Sequence, residues 1–194
     1  YAEELGYRIK LLGIAKKRDK GIELRVHPTL IPEKRLIANV NGAMNAVVVK
    51  GNMVGPTLYY GAGAGALPTA SAVVADLIDI SRSSQVPPHG FVDNKIDSIP
   101  VYKIEDAISG YYLRIRVSDK PGVLAEITKI FGDKKISIDA MLQKEPQEHE
   151  SEADIVILSH LAVERDINTV IDSIESLSAT IGKVIKIRLE ELSK

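Results

Sequence analysis

Between residues 111 and 117, apolar and polar positions alternate with a period of two. Tyr111, Leu113, Ile115 and Val117 fall on one side, and Tyr112, Arg114 and Arg116 on the other. The alternation predicts a half-buried strand. Ser118-Asp119-Lys120-Pro121-Gly122 follows, and then Val123, Leu124, Ile127, Ile130 and Phe131 mark one face of a helix. Pro121 suits the first turn of that helix, where a missing N–H costs nothing. Ile136–Lys144 and Ala153–His160 predict two further strands, joined by the acidic loop Gln147–Glu152. A second helix gathers Val163, Ile167, Val170, Ile171, Ile174 and Leu177 on one face. In the last strand Ile185, Ile187 and Leu189 alternate with Lys186 and Arg188. The order is β-α-β-β-α-β, a ferredoxin-like split βαβ unit.

The N-terminal part is less regular. Tyr7–Lys16 and Ile22–Leu30 flank a Gly-containing turn, and Met44–Lys50 and Val54–Tyr60 flank Gly51-Asn52-Met53, which predicts two hairpins. Gly61-Ala62-Gly63-Ala64-Gly65 then runs into a helix over Pro68–Ile78. Between the two parts, Ser83–Gly90 is polar, with two consecutive prolines that stop a helix. The organisation expected is a unit over 1–82, a linker over 83–109 carrying at most one short edge strand, and a unit over 110–194. The fold class is α+β: a mixed-sheet partial domain, small for a core of its own, followed by the ferredoxin-like unit.

Composition narrows the function classes. The chain has 194 residues, 45% hydrophobic and 26% charged, which is an ordinary globular balance. No apolar run approaches the ~18–20 residues of a spanning helix, and no secretory signal is visible. The absence of cysteine excludes disulfides, thiolate metal sites and a cysteine nucleophile, and fits a reducing, cytoplasmic setting. Net charge is −1, which offers no general attraction to nucleic acid. Residues 1–82 hold 11 Lys/Arg against 7 Asp/Glu, and the remainder 14 against 19, a mild asymmetry that favours two units. An RNA-binding βαββαβ module needs stacking aromatics on its two central strands. Taking those strands as 136–144 and 153–160, which hold no Phe, Tyr or Trp, no such platform is expected.

Three features could carry chemistry. Glycines before a helix let a ligand approach the backbone near free N–H groups, so Gly61, Gly63 and Gly65 are either a ligand contact or a tight strand-to-helix turn. Their spacing is neither the dinucleotide fingerprint nor a P-loop. The four histidines, at 27, 89, 149 and 160, lack metal-ligand spacing and read as structural or surface residues; no metal site is expected. No Ser/His/Asp order or Gly-x-Ser-x-Gly is present, and no catalytic apparatus is expected in this chain. Finally, Ser118–Ala125 sets a carboxylate beside a helix N-terminus, which suits a small zwitterion.

That last segment, with the whole 110–190 unit, resembles the ACT domain, a small-molecule regulatory module of amino-acid metabolism. The resemblance implies an amino-acid site between two paired domains, carried here by Asp119, Gly122, Val123 and Leu124 with Ser137, which stands where many members have Asn. A purely structural or dimerising ACT domain is the alternative. The N-terminal part is also similar to a known family. Val26–Pro32, Asn39–Ala46, Val54–Gly65 and Pro68–Asp76 closely resemble the later part of homoserine dehydrogenase, whose long bacterial form ends in an ACT domain. The resemblance implies NAD- or NADP-linked interconversion of aspartate semialdehyde and homoserine, feedback by threonine, and a homodimer or higher homo-oligomer. It assigns the cofactor-contacting glycine to Gly65, with Gly63 and Gly61 as weaker candidates. The family's Rossmann fingerprint and catalytic lysine lie upstream of the segment matching Tyr1, so the chain is expected to be a fragment, inactive alone. From another class comes a stand-alone, non-catalytic amino-acid-binding regulator.

Overall fold

Two hairpins open the chain, β1 (Tyr7–Arg18) with β2 (Gly21–Pro32), and β3 (Met44–Gly51) with β4 (Gly55–Ala62); the helix α1 (Ala66–Arg82) follows. Then come β5 (Ile108–Ser118), α2 (Val123–Asp133), β6 (Ile138–Gln143), β7 (Glu152–Ser159), the two-residue β8 (Ala162–Val163), α3 (Glu164–Glu175) and β9 (Ile185–Leu189). The structure is a computed structural model and describes residues 1–82, 98–144 and 151–192. Most of the expected linker and most of the acidic loop 147–152, with His89 and His149, lie outside the described residues.

The β-α-β-β-α-β order is present as expected. The division in space differs from the division along the chain. One compact unit joins Tyr1–Glu33 to Ile99–Lys194; the other is Lys34–Ser98. The reason lies in strand pairing. The first unit's sheet runs β1-β2-β9-β5-β7-β6, with β8 on β5. Its one parallel pair sets Thr29 beside Arg188 and Leu30 beside Leu189. Within residues 1–82 the described pairs are antiparallel, so the mixed sheet arises only where β2 meets β9. At the far end of β2, Val101 bridges Ile22, and Ile22 donates to the Pro100 carbonyl at 2.8 Å. That bridge is all of the expected edge strand among the described linker residues. A Cβ on Gly21 would stand 2.3 Å from the Pro100 oxygen, so this close approach requires glycine.

β5 is covered on both faces. Leu113, Ile115 and Val117 join Ile127 and Phe131 of α2 and Ile167, Val170 and Ile174 of α3 in the main core. Tyr112, expected on a solvated side, is buried instead. It packs with Leu30, Val156, Leu158 and Leu189 in a second core that Tyr1, Leu5 and Tyr7 border. Each such side chain contributes ~1.5–3 kcal/mol by leaving water. The strand is therefore not half-buried, because the N-terminal hairpin brings a second cover that local periodicity does not show.

The sheet order also corrects the choice of central strands. β5 and β7 are central, while β6 is an edge. The aromatics of β5 are Tyr111 and Tyr112, both buried, and neither ring offers a face for base stacking.

The hairpin β1–β2 has reversed polarity. Glu23, Arg25, His27 and Thr29 are buried, whereas Leu24 and Val26 are exposed. The buried charges are paired: Arg18 reaches Glu23 at 2.5 Å, Arg25 reaches Glu23 at 2.9 Å, and Lys16 reaches Glu190 at 2.5 Å. In the second unit, β3 and β4 form an antiparallel pair whose turn ends at Gly55, φ +76°. No residue of α1 is buried, and Leu67, Val73, Leu77 and Ile80 are all exposed.

Candidate functional site

Gly61 lies at the end of β4, Gly63 just beyond it, and Gly65 immediately precedes α1, so the glycine run forms a strand-to-helix turn. Its three members do different things. Gly65 has φ +118°, a conformation open to glycine and strained for other residues. Its carbonyl accepts from Thr69 N–H at 3.2 Å, which fixes the first turn of the helix. A Cβ at Gly63 would lie 2.1 Å from the Asn45 amide nitrogen, so side-chain packing explains that glycine. Gly61 has nothing within 4 Å of such a Cβ. Pro68 sits within the first turn, where its missing N–H is harmless.

The second candidate begins where β5 ends. Asp119 donates its N–H to the Ser151 carbonyl at 2.9 Å, which pins the loop to the start of β7. Its side chain is exposed. Gly122 is the N-cap of α2 in the left-handed region, φ +94°, and no side chain caps that helix. Val123 N–H reaches Lys120 O at 3.4 Å, and the Val123 side chain enters the main core. Asp119 is thus an exposed carboxylate beside an uncapped helix N-terminus, with Leu124 in the first turn. Ser137 is not there. Its carbonyl accepts from His160 N–H at 2.9 Å, at the end of the sheet where Ile138 pairs with Ser159. Ser118 pairs with Glu152 at the opposite end. With seven residue steps along β7 from Glu152 to Ser159 at ~3.4 Å each, Ser137 stands roughly 24 Å from the Asp119 loop. A single chain does not bring the two together.

A third cluster escaped the sequence reading. Glu164, at the first position of α3, is buried and accepts from Tyr111 Oη at 2.8 Å, Arg188 Nε at 2.8 Å, Arg188 Nη2 at 2.6 Å and the Lys186 ammonium. Lys186 also donates to Asn168 Oδ1 at 2.6 Å. Burial works against the Glu164 charge, but the donors from Arg188, Lys186 and Tyr111 outweigh it and hold the carboxyl down at about 2. Burial, then the bond to Glu164, pushes the Tyr111 phenol up. The signal was present: Lys186 and Arg188 share one face of the last strand, and a tyrosine occupies a core position of β5. Alternation alone read that face as solvated.

His27 also belongs to this region. Its Nδ1 lies 3.0 Å from Thr29 Oγ1, and burial, with Arg188 and Arg25 adding to it, keeps the ring's pKa down. His160 Nε2 lies 3.6 Å from Asp139 Oδ1, both exposed. Among the described residues no three His, Asp or Glu side chains converge as a metal site. None of the described helices is long and apolar enough to cross a membrane.

Comparison with known proteins matches both parts. Residues 1–78 fit the homoserine dehydrogenase family model, and residues 111–179 the ACT domain model. A homoserine dehydrogenase of Pseudomonas aeruginosa is 48% identical over 199 aligned positions, covering 100% of this chain and 46% of the relative. One from Neisseria gonorrhoeae is 51% identical, over 99% of this chain and 45% of its own. The crystal structure of a homoserine dehydrogenase from Thiobacillus denitrificans superposes with a TM-score of 0.89 at 57% identity, covering 100% of this chain and 44% of that one. The chain thus spans less than half the length of these relatives.

Proposed function

Because this chain carries the sequence and fold of the C-terminal portion of homoserine dehydrogenase, ending in an ACT domain, we propose that it serves the NAD(P)-dependent interconversion of L-aspartate 4-semialdehyde and L-homoserine. The observation that carries the reading is the 57% identity and 0.89 TM-score over the whole chain. On this reading the activity belongs to a cytoplasmic homo-oligomer, at least a dimer, on the way to threonine and methionine. Residues 1–82 supply the later part of the substrate and dimerisation region, 83–109 the linker and 110–194 the regulatory domain.

The residues present fit one end of a nicotinamide cofactor. Gly61 leaves open space, Gly65 turns the backbone at positive φ, and the first turn of α1 presents N–H groups. Gly63, already filled by Asn45, is the weakest of the three. The cofactor supplies the hydride; these residues would hold its ring edge and exclude water from it. Incubating the 194-residue chain with homoserine and NADP should produce no reduced cofactor by absorbance. Turnover at the rate of an intact enzyme would overturn the assignment of catalysis to segments this chain does not contain.

Regulation falls to the ACT domain, with threonine as effector. The Asp119 carboxylate would take the ammonium, and N–H groups at Val123 and Leu124 beside Gly122 the carboxylate, where the helix dipole favours negative charge. β6 is an unpaired edge. Antiparallel pairing with β6 of a second copy would carry Ser137 of one chain toward the Asp119 loop of the other. Threonine at a hundred times its Kd should then stabilise the fold by ~2.7 kcal/mol. Thermal unfolding with threonine, methionine, lysine and serine at equal concentration checks this. A threonine-selective rise that Asp119→Ala abolishes is expected; equal stabilisation of that variant would refute this placement of the ammonium. No shift with any amino acid would favour a purely structural ACT domain.

A further inference from the structure

A cleft of about 590 Å³ opens where the turn end of the β1–β2 hairpin meets the end of the ACT sheet that holds Gly110 and Ser159. Lys16 and Arg18 stand on one side, and Asp139, His160 and Glu191 are among its other lining residues. It shares no residue with the loop 119–124 at the other end of the sheet. Its size lies within the range of small-molecule sites.

The buried hydroxyls at its floor are already committed. Ser109 Oγ donates to Leu189 O at 2.7 Å, while Ser159 Oγ accepts from Tyr111 N–H at 3.1 Å and donates to His160 O at 2.9 Å. They shape the cleft and leave recognition to the charged groups. Those groups have capacity to spare. A guanidinium has five N–H donors and an ammonium three. Arg18 spends Nε and Nη2 on Glu23, and Lys16 is bound to Glu190. Both therefore keep donors for a further carboxylate. On the acidic side, Asp139 has only the long 3.6 Å approach of His160, and Glu191 has no cation within ion-pair distance among the described residues. Burial, then the charges of Glu191 and Asp139, push the Tyr7 phenol up.

We propose that this cleft is a second small-molecule site, taking an α-amino acid zwitterion with its ammonium on Asp139 and Glu191 and its carboxylate on the spare donors of Lys16 and Arg18. Leu161 and Ile108, both exposed lining residues, offer apolar contact to a short side chain. Ligand held there ties the hairpin to the ACT sheet directly, because its two charged ends rest on different elements.

Calorimetric titration of the 194-residue chain tests it, with L-threonine, L-methionine and L-lysine as probes. Ethanolamine and propionate, each bearing one of the two charges, are the controls. At least one amino acid should bind, and both single-charge analogues at least tenfold more weakly. The double variant Asp139→Asn/Glu191→Gln should lose at least tenfold in affinity, as should Lys16→Met, with circular dichroism unchanged. All of these titrations are made on the Asp119→Ala variant, in which the proposed effector loop is silent, so that the binding read is that of the cleft. The site is refuted if none of the three amino acids binds that variant, or if binding survives the double variant added to it.

Discussion

Glu164 is a single carboxylate on which two cations and a phenol converge, and nearly all of its side chain is out of water. Replacing it by Gln keeps the volume but strands Lys186 and Arg188. Losing one partner of a buried ion pair typically costs about 3–5 kcal/mol, and urea unfolding of Glu164→Gln should show a loss of that size. Glu4→Gln, which breaks only the exposed pair with Lys144, should leave the midpoint nearly unchanged. The same residue sets an acid limit. Its carboxyl sits at about 2 in the fold against an ordinary 4.5. Its contribution, about 3 kcal/mol from that difference, is complete above pH 4.5 and is lost as pH falls toward 2. Wild-type stability should decline through that window, and Glu164→Gln should show a shallower decline. An unchanged slope in the variant would mean that other carboxylates carry the acid sensitivity.

Among the elements, β2 is the most instructive. It ends inside the second core, where Leu30 meets Tyr112, Val156 and Leu158, and it pairs with β9. Leu30→Ala should therefore cost about 2–5 kcal/mol and lower the unfolding midpoint of the ACT strands with that of the hairpin. Hydrogen exchange checks the coupling: Ile31 and Leu113 amides should lose protection together, and separate loss would show two independent units. The regular strands and helices of the C-terminal part were legible because each buries one face at its own period, as Val123, Ile127 and Phe131 do. The covered side of Tyr112 was not legible, since Leu30 lies 82 residues earlier and Val156, Leu158 and Leu189 lie 44 to 77 residues later. The charged face of β2 was hidden for a related reason. Glu23 and Arg25 are buried by pairing with each other and with Arg18 and Glu190, and such pairing leaves no mark in local hydropathy. Of the candidate sites, the Asp119 loop was legible as a strand-to-helix turn at Pro121-Gly122. The distance to Ser137 was not, because strand order decides it.

At the scale of the whole molecule, the chain returns to where it began. Residues 1–33 and 99–194 share one sheet and two cores, while 34–98 form the other unit. For anyone wishing to transplant the ACT module, the natural cut before residue 110 is therefore the wrong one. It would strip Leu30 from beside Tyr112 and turn β9 into a raw edge, inviting strand addition from other molecules. The portable cassette is discontinuous in sequence, with the first hairpin travelling alongside the sheet it completes.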